Sequence, residues 1–282
     1  LAKLKPGPQL VEVRAEDIRF SRDEAAVFFS EVMEVELDDG DIEILEHRTE
    51  GWAAGLQMAG LSLRRRSDKS RFVSDFGGSH RYIMDYLIGE VLEDQSESIR
   101  TFLLKTSILE NLCAELCGEL VSDTDSRVVL EELDRNNLFL ISLYDNRFLY
   151  RYHHLFSELL RHRLSFTCKP EEVAELHLRA GRWYENFRDT GAAMDHYLKG
   201  HNYSEALRVI GDNLEEILKQ GGLGILGSWM MEIPDEAVEA DPKGNIDLGI
   251  ICTFSGLAER AEGYFLRAEK ILENTDDEDN TG

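Results

Sequence analysis

Proline and basic residues are scarce in this sequence. Its 282 residues include 5 prolines, and 31 lysines and arginines stand against 55 aspartates and glutamates, giving a formal net charge of −24. Long stretches of Leu, Ala, Glu and Arg between so few prolines predict helices joined by short turns rather than a sandwich of strands. Because an acidic field repels phosphate backbones and anionic lipid, we do not expect this chain to bind DNA non-specifically.

Long apolar runs and export signals are missing as well. No stretch approaches the roughly 20 apolar residues of a membrane span, and the N-terminus lacks the charged and apolar regions of a signal peptide. We therefore expect a cytoplasmic protein with no membrane partner. A hydrophobic content of 43% is enough for the cores of about two domains.

Motifs for catalysis and metal binding are also lacking. No phosphate-binding G-x-x-x-x-G-K-[ST] occurs, and Gly77-Gly78-Ser79-His80 is not followed by lysine. There is no G-x-S-x-G or H-E-x-x-H motif, and the cysteines do not form the paired spacing of a zinc site. They are Cys113, Cys117, Cys168 and Cys252. We predict no catalytic residue, no metal site and no ATP hydrolysis by this chain alone.

The first part of the chain contains a helix signal and a stretch of small residues. Ser21 followed by Glu24 forms a capping box, which predicts a helix start, and a second helix is predicted from Asp41 to His47. Leu10–Val13 alternates like a short strand at the edge of a sheet. The following segment, RTEGWAAGLQMAGLSLRRR, is rich in Gly and Ala, which permit close approach of a helix or of a ligand. The residues alone favour helix packing.

A winged helix is predicted between residues 95 and 165. The pattern gives three helices and two strands that flank the turn pair Asp145-Asn146. The predicted helices are Ser96–Leu109, Leu112–Val121 and Ser126–Arg135, and the predicted strands are Leu138–Leu143 and Arg147–Tyr152. Winged helices often read DNA, but the third helix carries Glu131, Glu132 and Asp134, which suit a major groove poorly. We therefore interpret the module as a building block within a larger protein.

Helix pairs follow from about Pro170. The fragments YSEALRVI and LAERAEGYFLRAEKIL place small and large apolar residues at helical spacing, as tetratricopeptide-like hairpins do. The final NTDDEDNTG is predicted to be an acidic tail that does not pack, so the array is expected to be incomplete.

Three segments together resemble a known family. RTEGWAAGLQMAGLSLR, SHRYIMDYLIGEVL and LYRYHHLFSELLRHRL occur in this order. They are similar to segments of the large ATP-dependent LuxR-type regulators related to the maltose-regulon activator, within the STAND class of signalling NTPases. Such proteins run from a P-loop ATPase domain through a small helical domain, a winged helix, a helical arm and a superhelical sensor to a C-terminal helix-turn-helix.

The resemblance implies a mainly α fold and a division of the chain. Residues 1–20 would end the ATPase core, 21–94 would be the small helical domain, and 95–165 the winged helix. Residues 170–235 would be the arm, and 236–282 the start of the TPR-like sensor with the acidic tail.

The resemblance also implies a nucleotide site. Gly51-Trp52-Ala53 aligns with a short motif beside the adenine, with Ala53 in place of the family's proline. His153 aligns with the winged-helix histidine that approaches the β-phosphate of ADP and locks the resting state. We expect this histidine to face an interdomain cleft and to contribute little to its own core. The alternative is that His153 and His154 only begin the helix after the wing, with one packed and the other solvated.

The implied function is regulation. ADP or ATP with Mg²⁺ would bind in the full-length protein, a slow signalling ATPase, but not to this chain alone. The implied partners are the upstream ATPase domain, a small-molecule or protein inducer at the superhelix, and further copies of the protein when active. DNA and RNA polymerase would be contacted through the C-terminal domain alone. The alternative is a stand-alone helical scaffold for protein–protein interaction, for which no upstream Walker A motif is expected.

Overall fold

The computed structural model describes residues 18–279 except 65, 67, 78–80, 94, 137 and 144–148. The chain divides into two compact units, with the division between Thr167 and Cys168. The predicted strand Leu10–Val13 and the predicted turn Asp145-Asn146 lie outside the described residues. Among the residues described, no helix is long and apolar enough to span a membrane.

The first unit begins with short helices. They are α1 (Arg22–Val27), which continues as a π-helical turn (Phe28–Val32), α2 (Asp39–Thr49), α3 (Ala53–Leu63), α4 (Lys69–Asp75) and α5 (Arg81–Leu87), which continues as a second π-helical turn (Ile88–Leu92). The capping box is confirmed: Ser21 Oγ accepts a hydrogen bond from the Glu24 N–H, and the Glu24 carboxylate accepts one from the Ser21 N–H. Phe29, Leu45 and Leu56 are buried in the core of these helices.

The small residues of α3 allow close packing. A Cβ on Gly60 would lie 2.6 Å from Met33 Cε, and one on Gly55 would lie 2.8 Å from the Trp52 ring. Both distances are shorter than real Cβ contacts, so these glycines let side chains lie directly on the helix backbone. The packing interpretation of this segment therefore holds at Gly55 and Gly60.

The winged helix completes the first unit. It consists of α6 (Glu97–Thr106), α7 (Ala114–Leu120), α8 (Ser126–Arg135), β1 (Leu140–Ser142), β2 (Tyr150–Tyr152) and α9 (His154–Thr167). The strands are antiparallel, with Ile141 opposite Arg151. The sequence predicted β1 from Leu138, which is wrong, because Phe139 has a left-handed backbone (φ 53°) that an extended strand does not admit.

The second unit is built from helices. They are α10 (Pro170–Asn186), α11 (Thr190–Lys199), α12 (Tyr203–Lys219), α13 (Leu223–Glu232), α14 (Pro242–Phe254) and α15 (Ala258–Asp279), with a 3₁₀ turn at Asp235–Val238. Helices α10 and α11 pack against each other, as do α14 and α15. The hydrophobic core of the second unit includes Tyr197, Ile210 and Leu248.

The acidic tail does not begin where the sequence predicted. Helix α15 continues through Asn274 to Asp279, because no glycine or proline interrupts the chain after Gly263 until Gly282. In the described part of the chain, helices and one two-stranded sheet are the regular structure, and a winged helix is present. The predicted mainly α fold class is confirmed.

Candidate functional site

A left-handed turn joins α2 to α3 and carries the predicted Gly51-Trp52-Ala53 motif. Glu50 has φ 50° and Gly51 has φ 68°, so two successive residues adopt the left-handed region. The Gly51 carbonyl accepts a hydrogen bond from the Phe20 N–H at 2.8 Å. A Cβ on Gly51 would overlap the Phe20 carbonyl oxygen, so this position requires glycine on steric grounds alone.

Trp52 connects this turn to the winged helix. Its ring packs edge to face on Phe139, with centroids 5.1 Å apart, and on His153 at 6.0 Å. On another side it meets Tyr86 of α5 at 5.7 Å. Such aromatic contacts are each worth about 0.5–1.5 kcal/mol beyond area burial. Trp52 is therefore part of the packing between the first helices and the winged helix.

Ala53 occupies the first position of α3 and is exposed. Proline is readily accepted at this position, because the N–H there has no partner within the helix and φ is already near the proline value. The departure from the family's proline is therefore compatible with the same local backbone. Contact of Ala53 with a nucleotide stays a prediction.

His153 immediately precedes α9 and is buried, with 5% of its surface exposed. Its Nε2 lies 2.8 Å from the Thr49 carbonyl oxygen. Because a carbonyl only accepts, Nε2 carries the proton and donates. Nδ1 is also buried, and it has no hydrogen-bond partner among the described residues.

The expectation that His153 faces a cleft and contributes little to its core is wrong. It is enclosed by Trp52 and Phe139 and bonded to α2. Burial lowers the pKa of His153 because the imidazolium is poorly solvated there, although the nearby Glu50 carboxylate opposes the shift. His153 is therefore neutral at neutral pH. His154 is the first residue of α9 and is more exposed than His153.

Glu50 forms an ion pair that the sequence did not predict. Its two carboxylate oxygens accept hydrogen bonds from Nη1 and Nη2 of Arg151, both at 2.8 Å. Oε1 also accepts from the His154 backbone N–H at 3.0 Å, and Arg19 Nη1 lies 3.7 Å from Oε2. The Glu50 side chain is 8% exposed. Its carboxylate thus fastens the α2–α3 turn to β2 and to the start of α9.

The ionisation of Glu50 follows from these contacts. Burial by itself would raise the pKa of this carboxyl group. The hydrogen bonds from Arg151 and from the His154 backbone, together with nearby positive charge, outweigh burial and lower the pKa to about 2. Glu50 is therefore negatively charged at all ordinary pH values.

An open cleft of about 240 Å³ lies beside the turn. It is lined by Arg19, Phe20, Glu46, His47 and Glu50. The His47 and His154 rings meet edge to face nearby, with centroids 5.8 Å apart. This cleft combines one arginine with two carboxylates, so it contains no phosphate cradle of its own.

The structure brings the predicted site residues together. Gly51, Trp52 and Ala53 lie on one turn, and His153, about 100 residues later, packs on Trp52 and bonds to the residue two before Gly51. Glu50 and Arg151 were not predicted as site residues from the sequence. Each is adjacent to, or two residues from, a predicted site residue, but no periodicity links two charges 101 residues apart.

Comparison with known proteins identifies the module. The protein-family model of the MalT winged helix domain matches residues 88–173. This chain is related to the MalT regulators. It is 27% identical over 247 residues to the HTH-type transcriptional regulator MalT of Yersinia enterocolitica, covering 86% of this chain and 27% of that protein. The predicted similarity to the maltose-regulon activator is confirmed.

A second class of relative also matches most of the chain. The serine/threonine-protein kinase PknK of Mycobacterium tuberculosis is 30% identical over 238 residues, which cover 84% of this chain and 21% of the kinase. MalT of Klebsiella pneumoniae is 26% identical over 247 residues, or 86% of this chain and 27% of that protein. This MalT-like chain thus spans about a quarter of the length of the curated relatives it matches.

Proposed function

We propose that this chain is the central switch region of a nucleotide-controlled transcription regulator. Its MalT relatives are transcription regulators. The observation that carries the finer proposal is the meeting of Gly51-Trp52 with His153, because these are the residues that the resemblance assigns to adenine and to the β-phosphate. A ligand held there would touch the α2–α3 turn and the winged helix at once.

In the proposed switch, the bound nucleotide sets the positions of the domains, and this chain catalyses no reaction. ADP or ATP with Mg²⁺ would be held mainly by an ATPase domain of the full-length protein, which residues 1–20 would end. The small helical domain (residues 21–94) and the winged helix (residues 95–165) would close over the nucleotide. A histidine that donates to a diphosphate gives a strong, charge-assisted hydrogen bond, so nucleotide state and domain position become coupled.

Engagement of His153 with a phosphate requires a change from the arrangement described above. Nε2 is already bonded to Thr49, and Nδ1 is enclosed and, in the neutral ring, has no proton to donate. The ring must therefore change partner when nucleotide binds. Two packings that differ by a few kcal/mol are sufficient for such a switch.

The comparisons favour a control module. Most of this chain is matched both in a protein named as a kinase and in proteins named as transcription regulators, so the shared sequence fits a control element better than the output activity of either. We propose that an inducer, small molecule or protein, binds a superhelical sensor that begins at about residues 236–282, after the arm at 170–235. Inducer and ATP would then favour an open form that self-associates.

The winged helix is proposed to act within the protein and not on DNA. In α8 the apolar side chains of Val129, Leu130 and Leu133 are buried, and Glu131 and Glu132 are on the exposed face. That face repels a DNA backbone. Contacts with promoter DNA and with RNA polymerase would be made through a C-terminal domain.

The test of this proposal is His153→Gln in the full-length regulator. Glutamine can still donate to the Thr49 carbonyl, so the fold is retained, but the imidazole is lost. We expect ADP to dissociate about tenfold faster or more, because an amide cannot take up the positive charge that an imidazole can carry beside a diphosphate, and its hydrogen bond to the phosphate is therefore weaker. Basal, inducer-independent transcription should rise. Stopped-flow release of labelled ADP and a reporter assay measure the two effects.

His154→Ala is the matched control, because the backbone N–H that bonds Glu50 remains and the side chain is half exposed. It should leave ADP release unchanged. If His153→Gln gives the same ADP release and the same basal transcription as this control, the proposed nucleotide-sensing role of His153 is contradicted.

A scaffold for protein–protein interaction is the second candidate, favoured by apolar surface on the second unit. Phe254 is 63% exposed and Leu266 is 57% exposed. Leu266 lines an open cavity of about 570 Å³, together with Thr253, Gly256, Ala258, Ala261, Glu262, Phe265 and Glu269. A regulator that fails to bind any adenine nucleotide would support this second function instead.

A further inference from the structure

Glu50 combines a left-handed backbone with a side chain that is only 8% exposed. It ends α2 in the left-handed region, at φ 50° and ψ 37°. This conformation costs an L-residue with a Cβ roughly 1–2 kcal/mol, and glycine or asparagine is the usual residue there. Hydrogen bonds made by the side chain can offset this cost.

The compensation is visible in the contacts of the carboxylate. Its three hydrogen bonds go to the Arg151 fork and to the N–H of His154, at the N-terminus of α9. A carboxylate at a helix N-terminus is stabilised by the unpaired N–H groups and by the helix dipole. Both partners belong to one corner of the winged helix, where β2 passes into α9.

His153 is held inside this corner. It lies between Arg151 and His154 in sequence, and its ring bonds to Thr49, the residue just before Glu50. Its backbone N–H donates to the Phe139 carbonyl oxygen at 2.8 Å. Thr49 and Glu50 thus hold the same corner through two separate contacts, one neutral and one charged.

We propose that Glu50 is the positioning residue of the His153 site: its carboxylate holds residues 151–154 on the α2–α3 turn, which keeps His153 on the Thr49 carbonyl with the proton on Nε2. The inference rests on the proposed function for its regulatory meaning. Breaking the hydrogen bonds of Glu50 to Arg151 and to the His154 N–H is then the step that frees His153 to change its own hydrogen-bond partner.

The charges around His153 set its protonation. Glu50 favours the imidazolium, whereas Arg19 and the His154 side chain disfavour it. Trp52 and Phe139, which enclose the ring, are uncharged. Loss of the Glu50 charge should therefore make His153 harder to protonate.

The experiment is Glu50→Gln in this chain, followed by two-bond ¹H–¹⁵N NMR of the histidine rings. Glutamine keeps the length of the side chain but removes the charge and one acceptor for the Arg151 fork. The wild type is expected to show His153 as the Nε2–H tautomer. The variant should show a mixture of tautomers, a lower pH of titration, and hydrogen exchange at the His154 amide about tenfold faster.

Glu46→Gln is the control, because Glu46 is one turn earlier on α2 and lines the same cleft. It should leave the tautomer, the titration and the exchange unchanged. Arg151→Lys provides a second variant, which keeps the positive charge and removes the fork, and it should speed exchange at the same amide. The proposal is overturned if Glu50→Gln leaves all three readouts at wild-type values, or if Glu46→Gln changes them equally.

These readouts need no nucleotide, so they separate this inference from the proposed function. In the full-length regulator, Glu50→Gln should also slow ADP release, because it frees His153 to leave the Thr49 carbonyl for the phosphate, and the effect should be absent when His153 is already glutamine. If ADP release never depends on His153 while the NMR results hold, the proposed function fails and the positioning of His153 by Glu50 stands. Additive effects of the two substitutions would overturn the coupling of Glu50 to His153.

Discussion

Gly51→Ala is expected to destabilise the first unit by about 3 kcal/mol or more. Two effects add here. The added Cβ must adopt φ 68°, and it would overlap the Phe20 carbonyl oxygen, which is backbone and cannot rotate away. The turn must therefore move, and Glu50 and Trp52 on either side of Gly51 would lose their contacts with the winged helix.

Urea denaturation followed by tryptophan fluorescence measures this effect. Trp52 is the first of three tryptophans, and the other two, Trp183 and Trp229, belong to the second unit, so phenylalanine at those two positions makes the signal specific. Gly89→Ala is the control, because a Cβ there has open space. It should change stability by less than about 1 kcal/mol. Equal effects of the two substitutions would contradict the steric requirement at Gly51.

Arg151→Ala is expected to destabilise the first unit by about 3 kcal/mol at pH 7, because it leaves the buried Glu50 carboxylate without its main partner. Arg127→Ala is the matched control, since Arg127 pairs with Glu115 at 3.7 Å on the exposed surface. It should cost less than about 1 kcal/mol. Denaturation curves for both variants provide the comparison, and a cost for Arg151→Ala no larger than that of the control would contradict the energetic role of the pair.

The same pair predicts a pH dependence. The folded pKa of Glu50 is lowered to about 2, below its ordinary value of 4.5. A lowered folded pKa means that the pair contributes fully above about pH 4.5 and loses its contribution as the pH falls toward 2. The stability difference between wild type and Arg151→Ala should therefore be largest near neutral pH and shrink in acid. A difference that is constant from pH 7 to pH 3 would contradict the assigned ionisation of Glu50.

Local signals predicted the helices well. Helix α8 begins at Ser126 and ends at Arg135 as predicted, because Asp125 caps its start and an apolar stripe defines its buried face. The capping box at Ser21 is equally local. Strand β1 was predicted to begin too early, at Leu138, because the positive φ of Phe139, whose ring packs on Trp52 and Phe156, has no signal in the sequence around it.

The site was only partly predictable. The resemblance singled out His153 and Gly51-Trp52, and the structure brings them together, but nothing in spacing or periodicity indicates that they meet. The burial of His153 was predicted wrongly, because the resemblance placed this histidine at an interdomain cleft. The packing given by the alternative, with one histidine of the pair packed and the other solvated, matches the structure. Glu50 and Arg151 were missed because charged residues are mostly exposed, and their pairing depends on the tertiary fold.

Equilibrium binding of labelled ADP tests the central proposal most directly. It should be measured for this chain and for a longer chain of the same protein that includes about 170 further residues upstream, the size of a typical ATPase domain. We predict that the longer chain binds ADP, that this chain alone does not, and that His153→Gln weakens binding to the longer chain. If neither chain binds ADP, or if His153→Gln leaves its affinity unchanged, the account of a nucleotide switch at His153 is contradicted.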